Sequence, residues 1–368
     1  MTQVYETGFR KAEATDDESL KNLMNVPMQT RGIWLSFERE PSFFNGQQII
    51  ATDPMSVVYE LDGELAAAFS NGKRPCYVNG ELKNLGYACD MRISLKARGS
   101  KLMSVSYAEL LRQLRSSELD YTQNIVLKGN QAALVAVRSN KPEDAPYVPI
   151  DPMHTLTLTG FRAKALNPHL SIRTATPEDV PAMNLLATRM GQFYQMLPHY
   201  DFSKLGTDDP YYLGLSITDF VLCFDDEQLV GLVGVWDQEQ IKQTRVVKYD
   251  KKIALIRPFY NLIAPYFKLV PLPKSGECFN YRILHSLFCE PDRLDVCDAL
   301  VREAFKKARL SGSDAVTFTL AQSDPRYTLM SGYAGEKLVG MYGLYLGGAD
   351  PRPGFNPKLV HYAECGRI

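Results

Sequence analysis

Between Lys96 and Lys101 the chain reads Lys-Ala-Arg-Gly-Ser-Lys, three cations around a glycine and a hydroxyl. Directly after it, Met103, Tyr107, Leu110, Leu111 and Leu114 recur at three- and four-residue steps, which predicts an amphipathic helix. A glycine-containing basic loop at a helix start offers unpaired backbone N–H groups, the positive end of the helix dipole and mobile charges. Those features suit a phosphate. Cations at a helix start also oppose its dipole, so an ordinary solvated loop is the alternative. Ahead of the loop the period is two, which predicts a strand. Leu85, Tyr87, Cys89, Met91, Ile93 and Leu95 point one way, and Asn84, Gly86, Ala88, Asp90, Arg92 and Ser94 the other.

Other chemistries find little support. The five histidines are scattered without metal-ligand spacing, so no metal is expected. There is no Gly-x-Gly-x-x-Gly opening a strand–helix unit, no Walker loop and no Gly-x-Ser-x-Gly elbow. His285 reads as a core residue before it reads as a catalyst. A net charge of −1 argues against a nucleic-acid partner, and 45% apolar with 23% charged residues describes an ordinary soluble protein. The seven cysteines are odd in number and include no Cys-x-x-Cys. With no signal-peptide pattern at the N-terminus, reduced thiols in a cytoplasmic protein are expected. No apolar run is long enough to span a membrane, and oligomerisation is left open.

The elements that must position the loop occur twice. Phe9, Arg10, Ala12 and Asp16 match Ile172, Arg173, Ala175 and Asp179 at an offset of 163 residues, and the turn at Asp62–Leu65 matches Asp226–Leu229 at 164. This is a diverged duplication. The counterpart of the central strand is Phe279–Phe288. Pairing Asp90 with His285 and Arg98 with Arg293 gives 195, so the second copy has gained roughly thirty residues, an insert at 238–275. The insert interleaves Lys242, Arg245, Lys248, Lys251 and Lys252 with Ile253, Leu255, Phe259 and Leu262. A basic amphipathic segment can meet acidic lipid or an acidic partner. The favoured expectation is a lid whose apolar side packs on its own domain, because Pro258, Pro265, Pro271 and Pro273 interrupt any long surface helix.

The strand, loop and helix at 84–116 resemble the central motif of the Gcn5-related N-acetyltransferases. In that superfamily a Gln/Arg-x-x-Gly-x-Gly/Ala loop holds the coenzyme A pyrophosphate. Here it reads Arg98-Gly-Ser-Lys-Leu-Met103, without some of the usual small residues. The resemblance implies an α+β fold of two tandem acyl-CoA N-acyltransferase domains, 1–166 and 170–368, each a mixed, mostly antiparallel sheet flanked by helices. It implies acetyl-CoA as co-substrate, held by Met91, Arg92, Ile93, Lys96, Arg98, Gly99, Ser100, Lys101, Leu102, Met103 and Asn130. The implied activity moves an acetyl group to a small-molecule or peptide amine. A non-catalytic CoA-binding or regulatory protein, and a longer-chain or aminoacyl transferase, are the alternatives.

An alkyl amine is free base at about one part in a thousand at neutral pH, so transfer needs a base. Asp90 lies where the superfamily often has an acid, although an Asp–Arg structural pair fits it equally well. The family's usual tyrosine acid, placed by Asn130-Gln-Ala-Ala133, falls on Val137. Tyr107 or Tyr121 could substitute. The acceptor side would come from Trp34, Phe37, Glu38, Phe43 and Phe44, an aromatic pocket with acidic groups, or else a core helix with a solvated charge run. The second copy's loop holds Glu290, Asp292, Arg293 and Asp295, which would repel a pyrophosphate. One CoA per chain is therefore expected, between residues 89 and 137, with the second cleft empty or closed by the insert.

Overall fold

The computed structural model describes residues 8–30, 32–138, 147–162 and 164–368. The first copy runs β1 (Arg10–Lys11), α1 (Asp17–Met24), β2 (Met28–Thr30), β3 (Ile33–Glu38), α2 (Phe43–Gln48), β4 (Asp53–Leu61), β5 (Glu64–Val78) and β6 (Glu81–Ile93). It continues with α3 (Leu102–Ser116), β7 (Tyr121–Leu127), α4 (Gln131–Arg138) and β8 (Tyr147–Phe161). The second copy begins with β9 (Leu170–Thr174), α5 (Val180–Met190), β10 (Tyr194–Gln195), β11 (Leu197–Pro198), β12 (Phe220–Asp225) and β13 (Gln228–Trp236). The insert adds β14 (Gln243–Tyr249) and α6 (Lys251–Ile263). Then come β15 (Tyr281–Phe288), α7 (Leu294–Leu310), β16 (Ala315–Ala321), β17 (Tyr333–Leu346) and β18 (Val360–His361).

The repeat is built from matching local chemistry. Arg10 pairs with Asp16 at 2.7 Å and Arg173 with Asp179 at 2.6 Å. Each aspartate also closes a capping box at the turn leading into α1 or α5, which satisfies otherwise orphaned amides. Asp62 and Asp226 both take positive φ at the β4–β5 and β12–β13 turns. A bulge on each central strand completes the match, with Asp90 at φ 52° and Ser286 at φ 51°. Asp90 is thus the counterpart of Ser286, one residue beyond the His285 that strand alternation alone suggests.

The bulge also re-aims the side chains of β6. An extra residue reverses the alternation beyond it. Tyr87 and Cys89 face the core that carries α5, whereas Met91 and Ile93 join Ala88 on the α3 side. The single stripe expected from Leu85 to Leu95 is therefore broken at Asp90, and Leu95 is exposed.

One 13-stranded sheet holds both copies in the order β1-β4-β5-β6-β7-β17-β8-β16-β15-β13-β12-β9, with β11 added on β5. It is mostly antiparallel, as expected for the α+β class; β6–β7 and β15–β16 are parallel. The closing strands are exchanged: β8 lies between β17 and β16, and β17 between β7 and β8. The chain passes between copies at 162–169, but the sheet does not divide there. The C-terminal stretch forms only the short β18, which pairs with β10 before residues Cys365–Arg367 turn toward the shared core. That core joins Tyr77 and Tyr87 to Tyr194, Phe220, Trp236, Phe288 and Tyr362. At about 1.5–3 kcal/mol for each large apolar side chain, its burial favours the two copies packed against each other.

The insert departs from expectation. β14 pairs with β3, which also pairs with β2, in a separate three-stranded sheet. Gln243 reinforces the join by exchanging hydrogen bonds with the backbone of Glu40 at 2.9 and 3.0 Å. The insert thus buttresses the first copy at β3 and does not close the second cleft. Its helix α6 forms despite Pro258, and the apolar side chains Leu255, Phe259 and Leu262 face outward, not onto their own domain.

Candidate active site

Strands β6 and β7 pair only at Gly86–Thr122 and Tyr87–Gln123. Gly86 permits that approach, since a Cβ there would fall 2.2 Å from Thr122 Oγ1. Beyond this point Asn124 Nδ2 reaches across to Ala88 O at 2.8 Å, and β6 runs on to Ile93 without a ladder partner on that side. The gap leads to the basic loop. Leu95–Ala97 form a short 3-10 turn, and Gly99 takes φ 83°, a conformation that favours glycine. Ser100 Oγ accepts from Leu102 N at 3.1 Å and donates to Ala97 O at 2.7 Å, so it ties the loop to the start of α3, whose N-cap is Lys101. No protein group accepts from the amides of Gly99, Lys101, Met103 or Ser104 among the described residues. Arg98 and Lys101 stand exposed beside them.

At the bulge, Asp90 sits in a charged cluster. Gln47 Nε2 donates to its carboxylate at 2.7 Å and Arg39 Nη2 at 3.3 Å. Arg39 reaches it by passing beneath α2 at Gly46, where a Cβ would fall 2.6 Å from Arg39 Cδ. Burial alone would push the Asp90 carboxyl up, but Arg39, Arg92 and Lys242 outweigh it and hold the group below its ordinary range. Lys242 faces the opposite pressure. Burial, then Arg39, lower its ammonium to about 7, against partial support from Asp90 and Cys89. Its Nζ donates to Ile368 O at 2.9 Å, and the side chain lines a narrow cavity of about 20 Å³ with Gln238, Gln243, Thr244 and Tyr281. The cluster thus combines a fixed anion with an amine close to its midpoint at neutral pH.

The second cleft has the same backbone and a different filling. β15 and β16 pair only from Tyr281 to Ile283. Into the gap comes Arg326, fully buried, donating to Leu287 O at 2.9 Å and gripping Asp324 at 2.6 and 3.0 Å. Its guanidinium lies 4.7 Å from the centre of the Tyr194 ring, and Tyr194 OH donates to Cys289 O at 2.6 Å. At the following loop Arg293 binds Asp295 and Asp225, and Asn167 donates to Asp295. His285 is buried against Tyr200 and Trp236 and accepts from Arg367 Nε at 3.1 Å. Burial, then Arg367, keep it neutral, as suits a core histidine.

The other candidate residues divide between loop and scaffold. Arg98, Gly99 and Lys101 are exposed on the loop and Arg92 is half-buried on β6, while Lys96 is held by Glu64 at 2.6 Å on the surface. Met91, Ile93, Leu102 and Met103 pack into the α3 core with Tyr107. Tyr107 is edge-on to Tyr345 at 5.7 Å, within that core. Tyr121 lies beside Leu85 in a different cluster, several residues short of Asp90, so the structure does not bring the two together. Asn130 Oδ1 caps α4 through Ala133 N at 3.1 Å, and the Val137 side chain lies outside the described residues. Residues 33–38 form β3, not the core helix offered as the alternative to an aromatic pocket. Trp34 there carries Lys248 over its ring at 4.6 Å, and Phe37 shares the strand. Glu38 is held by Ser36 and Arg245. Phe43 is core, with Phe44 packed against it. Sequence reasoning missed Gln47, Lys242 as a site residue, and Arg326; only Lys242 had a signal, as one basic residue of the insert.

No family model matches the chain, and neither does any curated protein. Solved structures do. Saccharomyces cerevisiae N-myristoyltransferase with bound myristoyl-CoA aligns over 94% of this chain and 84% of its own at 11% identity, TM-score 0.58. A second structure of that protein with myristoyl-CoA gives 95%, 83%, 11% and 0.57. A Gcn5-related N-acetyltransferase from Anabaena variabilis ATCC 29413 aligns over 92% of this chain and 72% of its own at 10% identity, TM-score 0.51. The chain therefore has the doubled fold of the Gcn5-related superfamily.

Proposed function

We propose that the protein is an acyl-CoA-dependent N-acyltransferase working from the first cleft, with acetyl-CoA as donor and a small-molecule or peptide amine as acceptor. The observation that carries this reading is the open, cationic strand–loop–helix of the first copy. The amides of Gly99, Lys101, Met103 and Ser104 with the side chains of Arg98 and Lys101 suit a pyrophosphate. The gap beside β6 suits an extended pantetheine arm ending near Asp90.

Lys242 is the better-matched base. Asp90, held anionic by Arg39 and Gln47, is a weak proton acceptor, whereas an amine near pH 7 is half free base at working pH. In this reading the acceptor's ammonium gives a proton to Lys242, and the amine attacks the thioester carbonyl. The C–N bond forms, the C–S bond breaks, the attacking nitrogen's second proton goes to the departing thiolate, and Lys242 returns the first to solvent. Asp90 stabilises the transient lysine cation. A short acyl group is favoured because Phe69, Ala88, Ile93 and Tyr107 fill the core beneath β6. The myristoyl-CoA complexes among the similar structures make a longer-chain donor the second reading.

Calorimetry with acetyl-, octanoyl- and myristoyl-CoA, followed by thiol release over a panel of amines, tests both. Acetyl-CoA binding at one site per chain with amine-dependent thiol release is expected. Release only with the longer donors would select the second reading. Binding without release with any amine would favour a regulatory protein, and no binding of any donor overturns the proposal.

A further inference from the structure

The helix of the insert is built with its polarity reversed. Arg257 donates to Leu272 O at 3.1 Å, Tyr260 to Val270 O at 3.0 Å, and Asn261 exchanges bonds with Leu272 at 2.8 and 2.9 Å. These polar side chains bind α6 to its own return segment. The return segment is in turn anchored on β8, where Lys268 Nζ donates to Phe161 O at 2.6 Å. The opposite face carries Leu255, Ile256, Phe259 and Leu262, followed by Tyr266 and Phe267, with Phe259 71% and Tyr266 85% exposed. A globular surface does not ordinarily gather so many large apolar side chains on one helix face. From Lys251 to Ser275 the chain has five cations (Lys251, Lys252, Arg257, Lys268 and Lys274) and no carboxylate.

We propose that this face docks on an anionic lipid bilayer, with α6 lying in the interface and its lysines toward the headgroups. An apolar stripe flanked by cations, with aromatic residues at its end, is the composition that buries shallowly at the headgroup boundary. No helix of the described residues is long and apolar enough to cross a membrane, so attachment here is to the surface. Charge decides against a second copy as occupant, because a two-fold contact would bring Lys251 and Lys252, the exposed cations beside the apolar stripe, against their own copies with no carboxylate between them. Lys251 and Lys252 sit at the exposed start of the helix, free to meet lipid phosphates.

Co-sedimentation with phosphatidylcholine vesicles, with and without phosphatidylserine, tests this on the full chain. The protein should sediment with the phosphatidylserine vesicles and be released by added salt. Lys251→Gln and Lys252→Gln should each weaken binding roughly fivefold. Leu255→Glu with Phe259→Glu should abolish it while leaving the thermal melt unchanged, since both positions are exposed. A Phe259→Trp reporter, whose emission should shift blue on vesicle addition, serves if the glutamate variant fails to fold. Three results would overturn the proposal: no sedimentation of the folded protein, salt-independent binding equal on neutral vesicles, or self-association that the glutamate pair abolishes.

Discussion

The two clefts share one backbone and differ in what fills them. In each, a bulged central strand diverges from its parallel neighbour after two or three paired residues. The first copy leaves that edge of β6 open toward a loop of cations and unengaged amides. The second copy covers the corresponding edge with Arg326, which donates to the Leu287 carbonyl much as a bound amide would. The chain has thus kept the scaffold twice and covered the strand edge with a buried side chain once. Backbone geometry sets where a ligand could lie, and side chains arriving from outside the motif set whether it can.

The largest test of this contrast is on the open side. Replacing Arg98 and Lys101 together by alanine should cost acetyl-CoA binding about 1.5–3 kcal/mol for each charge-assisted phosphate bond lost. Stability should hardly change, because both side chains are exposed. Unchanged affinity by calorimetry, in a folded double mutant, would remove the loop from the site. On the closed side the cost should fall on the fold. Arg326→Leu strands the buried Asp324 carboxylate and should lower unfolding free energy by about 3–5 kcal/mol in urea titrations. Acetyl-CoA stoichiometry should stay at one per chain, and a second site appearing would mean that Arg326 is a gate.

Much of this architecture is legible in the residues. The Arg10–Asp16 and Arg173–Asp179 pairs, the turns at Asp62 and Asp226, and the strand–loop–helix at 84–116 all rest on local chemistry. What was illegible is non-local. A bulge does not show in a period-two pattern, so Met91 and Ile93 were put on the wrong face and Ser286 was missed as the counterpart of Asp90. Exchange of β8 and β17 depends on which edges remain free once both copies are formed. Trp34 to Glu38 form a strand because β14, some two hundred residues later, supplies the ladder. Lys242 looked like one more solvated cation because only packing shows that it is drawn down beside Arg39 and Asp90.

That lysine separates the proposed mechanism from the scaffold. Below about pH 7 its ammonium is protonated and cannot accept the acceptor's proton, so kcat/KM should rise with pH through that value. Lys242→Met should lower kcat by about 10²–10³-fold and flatten this limb, while acetyl-CoA affinity changes little. Stability carries an independent sign. The unfolded chain holds this proton up to the ordinary value of 10.5, the folded chain only up to about 7, so stability should rise with pH between the two. The methionine variant should lose that rise. A limb that survives the substitution would return the base to another group.

Ser100 gives the smallest and most local test of how the open loop works. Its hydroxyl is placed where a phosphate ligand is expected, yet both of its hydrogen bonds are internal, to Ala97 O and Leu102 N. If the hydroxyl serves α3, Ser100→Ala should cost about 1 kcal/mol of stability through the lost bonds to Ala97 O and Leu102 N. Ser100→Gly should cost somewhat more, since glycine adds backbone entropy to the unfolded chain. Acetyl-CoA affinity should then fall little in either variant, because the neighbouring amides and cations remain. If instead a phosphate takes the hydroxyl from Ala97 O, both variants should bind acetyl-CoA more weakly to the same extent, whatever their stabilities. Calorimetric affinities for the two variants therefore stay near that of the unsubstituted protein in the first case and fall equally in the second, while urea midpoints report the local bonds in both. The second outcome would show that the loop rearranges on binding, and that the open cleft is shaped in part by its ligand.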